Sequence, residues 1–312
     1  GIKSVDKVEY AQTLGIDFII CDHHLPDDTL PDAVAVLDPK RTDCTYPFDE
    51  LSGCGIGFKL IQAYAQKNNI SSEKIYEQLD LVAVSIASDL VPVTGENRIL
   101  AKFGVDKVNN KPRAGFKALM SELKLTRSLD ITDLVFIIGP RINAAGRIAH
   151  GSEAVTLLIE ENYETALEKT KKIQQNNTDR KSLDKDITEE AFSMIDSNEI
   201  LIQKKSTVLY QEHWHKGVIG IVASRLIEKY HRPTIILAAS NGKAVGSGRS
   251  VPGFDLHNAI DACSEHLIQF GGHKYAAGLT IEINKIDDFI HAFDKIVSER
   301  ILDEQLIPQI EI

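Results

Sequence analysis

The chain has no Cys-x-x-Cys pair: its four cysteines, Cys21, Cys44, Cys54 and Cys263, stand far apart at irregular intervals. That spacing argues against a structural zinc site or a dithiol redox centre and suits reduced thiols of a cytosolic protein. No apolar run approaches the ~20 residues of a membrane span. The opening Gly1-Ile2-Lys3-Ser4 has no charged-then-apolar signal-peptide pattern and runs straight into a helix of domain-interior type. We therefore expect a soluble, cytoplasmic protein, and a chain cut from something longer. Positive charge is also short: 35 Lys and Arg face 45 Asp and Glu, a net −10. This excludes a surface that holds duplex DNA by a general basic field. A nucleic acid would have to be met by local cations and metal in a cleft. Internal repeats and low-complexity segments are absent too.

What is present is 312 residues, comfortable for two domains. The apolar run Ile16 to Ile20 reads as a buried strand, after a helix from Ser4 to Leu14 capped by Ser4 and stopped at Gly15. Cys21-Asp22-His23-His24-Leu25-Pro26 follows, so an acid and two imidazoles sit where a strand ends, the edge at which α/β sheets collect ligands. A carboxylate and two imidazoles make a donor set suited to Mn²⁺ and workable for Mg²⁺ or Zn²⁺. Alone, the tripeptide reads equally well as a polar loop with an N-capping Asp.

Val34 to Leu37 is a second short apolar run, closed by Asp38-Pro39. Ser52-Gly53-Cys54-Gly55-Ile56-Gly57-Phe58-Lys59 opens a helix to about Lys67. No Walker-type Lys-Ser/Thr follows, so these glycines read first as close helix packing. A helix from Glu73 to about Ser88 ends in Asp89, whose charge is unfavourable at a helix C-terminus unless a cation is near. Gly139-Pro140-Arg141-Ile142-Asn143-Ala144-Ala145-Gly146-Arg147 sets two guanidinium groups and an amide around small residues, read here as a loop able to approach phosphates closely. From Glu161 to about Asn198 the pattern is one long charged helix, about 50 Å at 1.5 Å per residue, long enough to join two domains across a cleft. This predicts domains at 1–150 and 199–312 with a connecting helix over 151–198.

The second half alternates strand and helix signals: strands at Thr207 to Tyr210, Pro233 to Ala238, Ala244 to Ser250 and Leu279 to Ile283, helices at Gly217 to Lys229, Leu256 to Leu267 and Ile286 to Leu302. Ser247 and Arg249 offer a hydroxyl and a guanidinium to an anion. Gly271-Gly272-His273 presents an imidazole on a loop that a substrate can approach. The fold class is thus α/β, in two lobes.

In order, Asp22-His23-His24, Ser88-Asp89, Gly139 to Arg147, Trp214 to Arg225, Ser247-Gly248-Arg249 and Gly271-Gly272-His273 resemble the RecJ exonucleases of the DHH phosphoesterase superfamily. The resemblance covers nearly the whole chain, and Gly139 to Arg147 is more particular to that branch than Asp-His-His. It implies a Rossmann-like parallel-sheet DHH domain and a smaller α/β DHH-associated domain joined by a long helix. It implies a 5′-to-3′ exonuclease acting on single-stranded DNA in repair and recombination, with two Mn²⁺ or Mg²⁺ ions. By motif match Asp22, His23 and Asp89 would be metal ligands, with His24, Asn143 and Arg147 at the scissile phosphate. Arg141, Ser247, Arg249 and His273 would bind substrate phosphate, Ser247 and Arg249 taking the 5′-terminal one. A single-stranded-DNA-binding protein is the partner the family suggests.

The family's upstream Asp-x-Asp and a further Asp before Gly1-Ile2, and its OB-fold after the core, lie outside these residues. The chain by itself is therefore expected to be feebly active. Two other readings share the motifs. A DHH phosphodiesterase of short oligoribonucleotides or dinucleotides would lack a use for Arg141 to Arg147 and for Ser247 and Arg249. A non-catalytic scaffold of the same fold would have no need of Asp22, His23, His24 and Asp89.

Overall fold

The computed structural model describes residues Gly1–Gln309. The chain forms two compact units, one over Gly1–Asn177 and one from Thr178 onward. The division falls inside a single 34-residue helix, Tyr163–Asp196, close to the long charged helix expected from composition.

The first unit is mostly helical around a small parallel sheet of β1 (Ile19–Cys21) and β2 (Ala35–Leu37). Its strands are shorter than the apolar runs suggest: Ile16 and Phe18 are exposed and stay outside the ladder. Ser4 precedes the Val5–Thr13 helix without capping it, and its Oγ accepts from the Gly1 amino group instead. Register pairs Cys21 with Leu37, and the Asp22 N–H donates to the Leu37 carbonyl at 3.0 Å. Asp22 and Asp38 are thereby neighbours just beyond the carboxyl ends of the two strands.

The predicted Glu73–Ser88 helix is two helices, Ser72–Tyr76 and Leu79–Asp89. The break has a cause in Arg113. Its guanidinium donates to the Glu77 carbonyl and the Gln78 Oε1, both at 2.7 Å, and to Asp80 Oδ2 at 2.8 Å, which takes the Glu77 carbonyl out of the helical ladder. Leu79–Asp89 is buried on two sides. Leu79, Val82 and Ile86 enter one apolar cluster with Leu51, Ile56 and Phe58, while Ala83, Val84 and Ala87 enter another with Phe116, Leu119 and Ile138. It stops after Asp89 because Leu90 adopts a left-handed conformation, φ 59°.

Gly139–Ile148 is a helix, not the loop expected. It continues from a π-helical turn at Leu134–Ile138, just before Pro140, whose missing N–H an unbroken α-helical ladder would leave as a gap. Gly139 lies against the Leu79–Asp89 helix, where a Cβ would stand 3.3 Å from Ser88 Cα.

The second unit is a five-stranded sheet in the order β3-β4-β5-β7-β6: β3 (Thr207–Gln211), β4 (Thr234–Ser240), β5 (Lys243–Arg249), β6 (Leu267–His273) and β7 (Ala276–Ile281). β3 and β4 are parallel, joined through the Ile219–Tyr230 helix, and the other pairings are antiparallel. One sheet face, through Ile235, Leu237, Ala244, Leu279 and Ile281, packs on Phe289, Phe293 and Val297 of the Ile286–Arg300 helix. The apolar residues from Leu256 onward divide between a helix to Asp261, a 3₁₀ turn at Ser264–His266 and β6. Gly271–His273 therefore ends a strand and is not a free loop.

Candidate functional site

In the first unit, Asp22 is almost fully buried and wholly engaged within the protein. Oδ2 accepts from the Ile2 N–H at 2.6 Å; Oδ1 accepts from the N–H groups of His23 (2.7 Å) and His24 (3.1 Å) and lies 2.7 Å from His24 Nδ1. Burial pushes its pKa up, yet the His24 ring and these backbone donors outweigh that and hold the carboxyl well below the usual carboxylate range. With Nδ1 of His24 held against Asp22, Nε2 is the ring nitrogen that remains, on a side chain that is 69% exposed.

His23 turns the other way. Its Nε2 lies 3.1 Å from Asp89 Oδ2, which arrives from the end of the Leu79–Asp89 helix. Two residues 66 positions apart in the chain, one from a strand end and one from a helix end, thus converge. The Asn143 amide donates to the Ser88 carbonyl at 2.8 Å and ties the Gly139–Ile148 helix to the same corner. Arg147, four residues on, shares that helical face. Arg141 does not: its guanidinium donates to the Ile137 carbonyl at 2.6 Å and to Gln174 Oε1 at 2.7 Å. His23, Ser88, Asp89, Ile142 and Asn143 line one pocket of about 420 Å³.

The motifs gave no weight to Asp38, which is 3% exposed just after the carboxyl end of β2. Burial raises its pKa and the neighbouring Asp22 charge adds to that, against the Lys40 N–H and the His23 ring. Its Oδ1 accepts from Lys40 N–H at 2.9 Å, while Oδ2 is buried with no hydrogen-bond partner; the same holds for His23 Nδ1. In the sequence Asp38 is only an acid before a proline.

In the second unit the strand register gathers the anion-binding candidates. Arg249 pairs with Ala276 on β7, and Ala276 pairs with His273 on β6; Ser247, Gly278 and Gly271 form the next row in the same way. Paired residues share a face, so Ser247, Arg249 and His273 lie on one face, Arg249 and His273 about 10 Å apart across two strand spacings, over a floor of Ala and Gly. Arg249 Nη1 donates to Ser247 Oγ at 3.1 Å and to the Gly248 carbonyl at 2.7 Å. Gly220, in the first turn of the Ile219–Tyr230 helix, lies against both: a Cβ there would stand 2.9 Å from Ser247 Oγ and 3.0 Å from Arg249 Nη2. The loop before this helix is pinned by Trp214, nearly fully buried, whose Nε1 donates to Glu190 Oε2 at 2.8 Å. Gly272 has φ 146°, with a Cβ 2.3 Å from the Ala276 carbonyl oxygen, so only glycine can bring His273 to the end of the ladder.

A carboxylate oxygen and an imidazole nitrogen in contact are a donor pair for Mn²⁺ or Mg²⁺. Among the described residues no group of three or more His, Cys, Asp or Glu is arranged to hold a metal ion; His23 and Asp89 bring together two donors of the kind such a site uses. The Asp22 oxygens accept from the Ile2, His23 and His24 N–H groups and lie against the His24 ring.

Comparison with known proteins finds matches over nearly the whole chain. Residues 1–86 match the family model for the DHH family, N-terminal domain, and residues 203–299 match the DHHA1 domain. The chain is 36% identical to the single-stranded-DNA-specific exonuclease RecJ of Bacillus subtilis (strain 168), covering 100% of this chain and 39% of that protein. It is 37% identical to RecJ of Escherichia coli (strain K12), covering 96% and 55%. The crystal structure of RecJ in complex with Mn²⁺ from Thermus thermophilus superposes with a TM-score of 0.84 at 26% identity, over 96% of this chain and 44% of that one. A Mg²⁺ complex from the same organism gives 0.75 at 26% identity, over 85% and 40%. The chain spans about half the length of the curated relatives it matches. Among the described residues no helix is long and apolar enough to cross a membrane.

Proposed function

The chain belongs to the DHH family, with a DHHA1 domain behind its DHH domain, and from that premise we propose that it hydrolyses single-stranded DNA from a 5′ end, using Mn²⁺ or Mg²⁺. The observation that carries this reading is the 3.1 Å approach of His23 Nε2 to Asp89 Oδ2 at the wall of a pocket that Asn143 also lines. His23 and Asp89 would hold the cation, together with oxygens of water and phosphate. A divalent ion bound there supplies Lewis acidity to a phosphoryl oxygen and makes a water more acidic.

The remaining work falls to the chain. Asp22 acts as the support of His24: its carboxylate accepts from Nδ1–H and favours the doubly protonated ring, whose Nε2–H then donates to a phosphoryl oxygen or passes its proton to the leaving oxygen, leaving a neutral imidazole. Asn143, held by the Ser88 carbonyl, and Arg147 one turn on place an amide and a guanidinium beside the same corner to orient the phosphodiester. Arg141 acts mainly through the helix it braces. In the second unit Ser247, Arg249 and His273 receive the 5′-terminal phosphate on their shared face, where the small residues between them let a backbone approach. The domains are read as a DHH domain over 1–150, a connecting helix over 151–198 and a DHH-associated domain over 199–312. A net charge of −10 disfavours general adhesion to DNA, which suits delivery of strands by a single-stranded-DNA-binding protein in the cytoplasm.

The test is a gel assay on 5′-phosphorylated single strands with Mn²⁺, beside duplex DNA and a dinucleotide. Shortening of the single strand from its 5′ end, lost in His23→Ala and Asp89→Ala, is expected. With two converging donors turnover should be slow. Preference for the dinucleotide would replace this reading by that of a short-oligonucleotide phosphodiesterase, and no turnover with no Mn²⁺ binding would leave a scaffold.

A further inference from the structure

We propose that Asp38 is a positioning residue for His23, the Asp38 Oδ2 and the His23 Nδ1–H satisfying each other directly or through one buried water. The inference rests on the reading of His23 as a metal ligand and adds to it the group that aims the ring. Three observations carry it. First, these two atoms are both buried side-chain atoms without a hydrogen-bond partner. A buried polar atom left unmade costs about 1–3 kcal/mol, so two complementary ones in one corner point to a shared partner. Second, register and electrostatics put them there together: Asp22 and Asp38 cap adjacent parallel strands, His23 follows Asp22, and the His23 ring favours the Asp38 carboxylate. Third, the alternatives are taken. Asp22 has both oxygens committed and serves His24, and the other Asp38 oxygen is held by the Lys40 N–H.

The arrangement gives each imidazole its own strand-end acid, Asp22 for His24 and Asp38 for His23. A metal-binding histidine usually donates its second ring N–H to a carboxylate or carbonyl, which fixes the tautomer and the ring plane and strengthens the ligating nitrogen. With Nδ1–H held by Asp38, the lone pair of Nε2 is left on the side of Asp89.

Two measurements on the full chain test this. In Mn²⁺ titrations followed by electron paramagnetic resonance, Asp38→Ala should weaken binding about ten- to hundredfold. Asp38→Asn keeps a carbonyl oxygen as acceptor and should recover part of that loss. In long-range ¹H–¹⁵N spectra of the metal-free chain, Asp38→Ala should move the Nδ1 resonance of His23 by more than either resonance of His24. If the His23 resonances and the Mn²⁺ affinity both stay at their wild-type values, whether or not the melting temperature falls, Asp38 is structural and the inference is wrong. If the wild-type chain binds no Mn²⁺, or His23→Ala binds it normally, the metal reading fails, and the imidazole spectrum alone then decides whether Asp38 holds the ring.

Discussion

Gly220→Ala tests the second unit's anion face with one methyl group. The added Cβ would stand 2.9 Å from Ser247 Oγ and 3.0 Å from Arg249 Nη2, where ordinary van der Waals contact needs about 3.5 Å, so hydroxyl and guanidinium must each retreat by roughly half an ångström. For stability the terms nearly cancel. Alanine gains about 1 kcal/mol over glycine in a helix, and overpacking costs about 1–3 kcal/mol, so the net loss should lie between zero and about 2 kcal/mol. For a bound phosphate they do not cancel, because one charge-assisted hydrogen bond is worth about 1.5–3 kcal/mol. Its loss corresponds to about 12- to 150-fold. The assay is kcat/KM on two single strands, one with a 5′-phosphate and one with a 5′-hydroxyl. Gly220→Ala should lower the first by that factor and the second far less. The control is Gly57→Ala, in the Gly53–Lys67 helix with open space around it, which should raise stability and leave both rates alone. An unchanged preference for the phosphorylated strand in Gly220→Ala would refute the assignment of Ser247 and Arg249.

Asp22→Ala should destabilise the fold by about 1–3 kcal/mol in urea, because the buried Ile2 N–H, and with it the part-buried N–H groups of His23 and His24, lose their acceptor, whereas Asp89→Ala, on a half-exposed side chain, should lower Mn²⁺ affinity with little change in stability. Equal effects from the two would argue against separate supporting and ligating roles. Arg113→Met strands the fully buried Asp80 and should cost about 3–5 kcal/mol in the same denaturation experiment. At acid pH, Asp133, whose pKa the Arg127 guanidinium lowers, contributes stability that is complete above the unfolded-state pKa near 4 and disappears as pH falls through the lower folded value. Arg127→Gln should therefore flatten the acid limb of a stability-against-pH curve, and an unaltered limb would show that the pair, largely open to solvent on the arginine side, contributes nothing.

Local signals carried a good part of this molecule. Apolar runs located β1 and β2, though too long, because periodicity reports what wants burial and not where a ladder ends. The uninterrupted charged stretch gave the Tyr163–Asp196 helix nearly to the residue, since a segment without Gly or Pro and rich in Lys, Glu and Gln has few other options. Gly139–Ile148 was misread as a loop because its Gly and Pro break the pattern by which helices are recognised, and only the π turn and the close approach to Ser88 explain why they are tolerated. Asp89 stood out only as an acid at a helix end before Leu90-Val91-Pro92, a position equally suited to a plain turn, and its approach to His23 came from packing.

The residue types of the candidate site were thus written in the chain: which acids, imidazoles and guanidinium groups are available. Their partners were not. That His23 meets Asp89 while Asp22 is consumed by His24 and backbone N–H groups, that Arg141 braces a helix while Arg147 shares a face with Asn143, and that Arg249, Ala276 and His273 fall in one row all depend on register and packing. Asp38 shows the reason most plainly. Its environment is set by a neighbouring strand 16 residues earlier in the chain, and hydrogen bonds and desolvation act across a few ångströms of space, a distance that order along the chain does not encode.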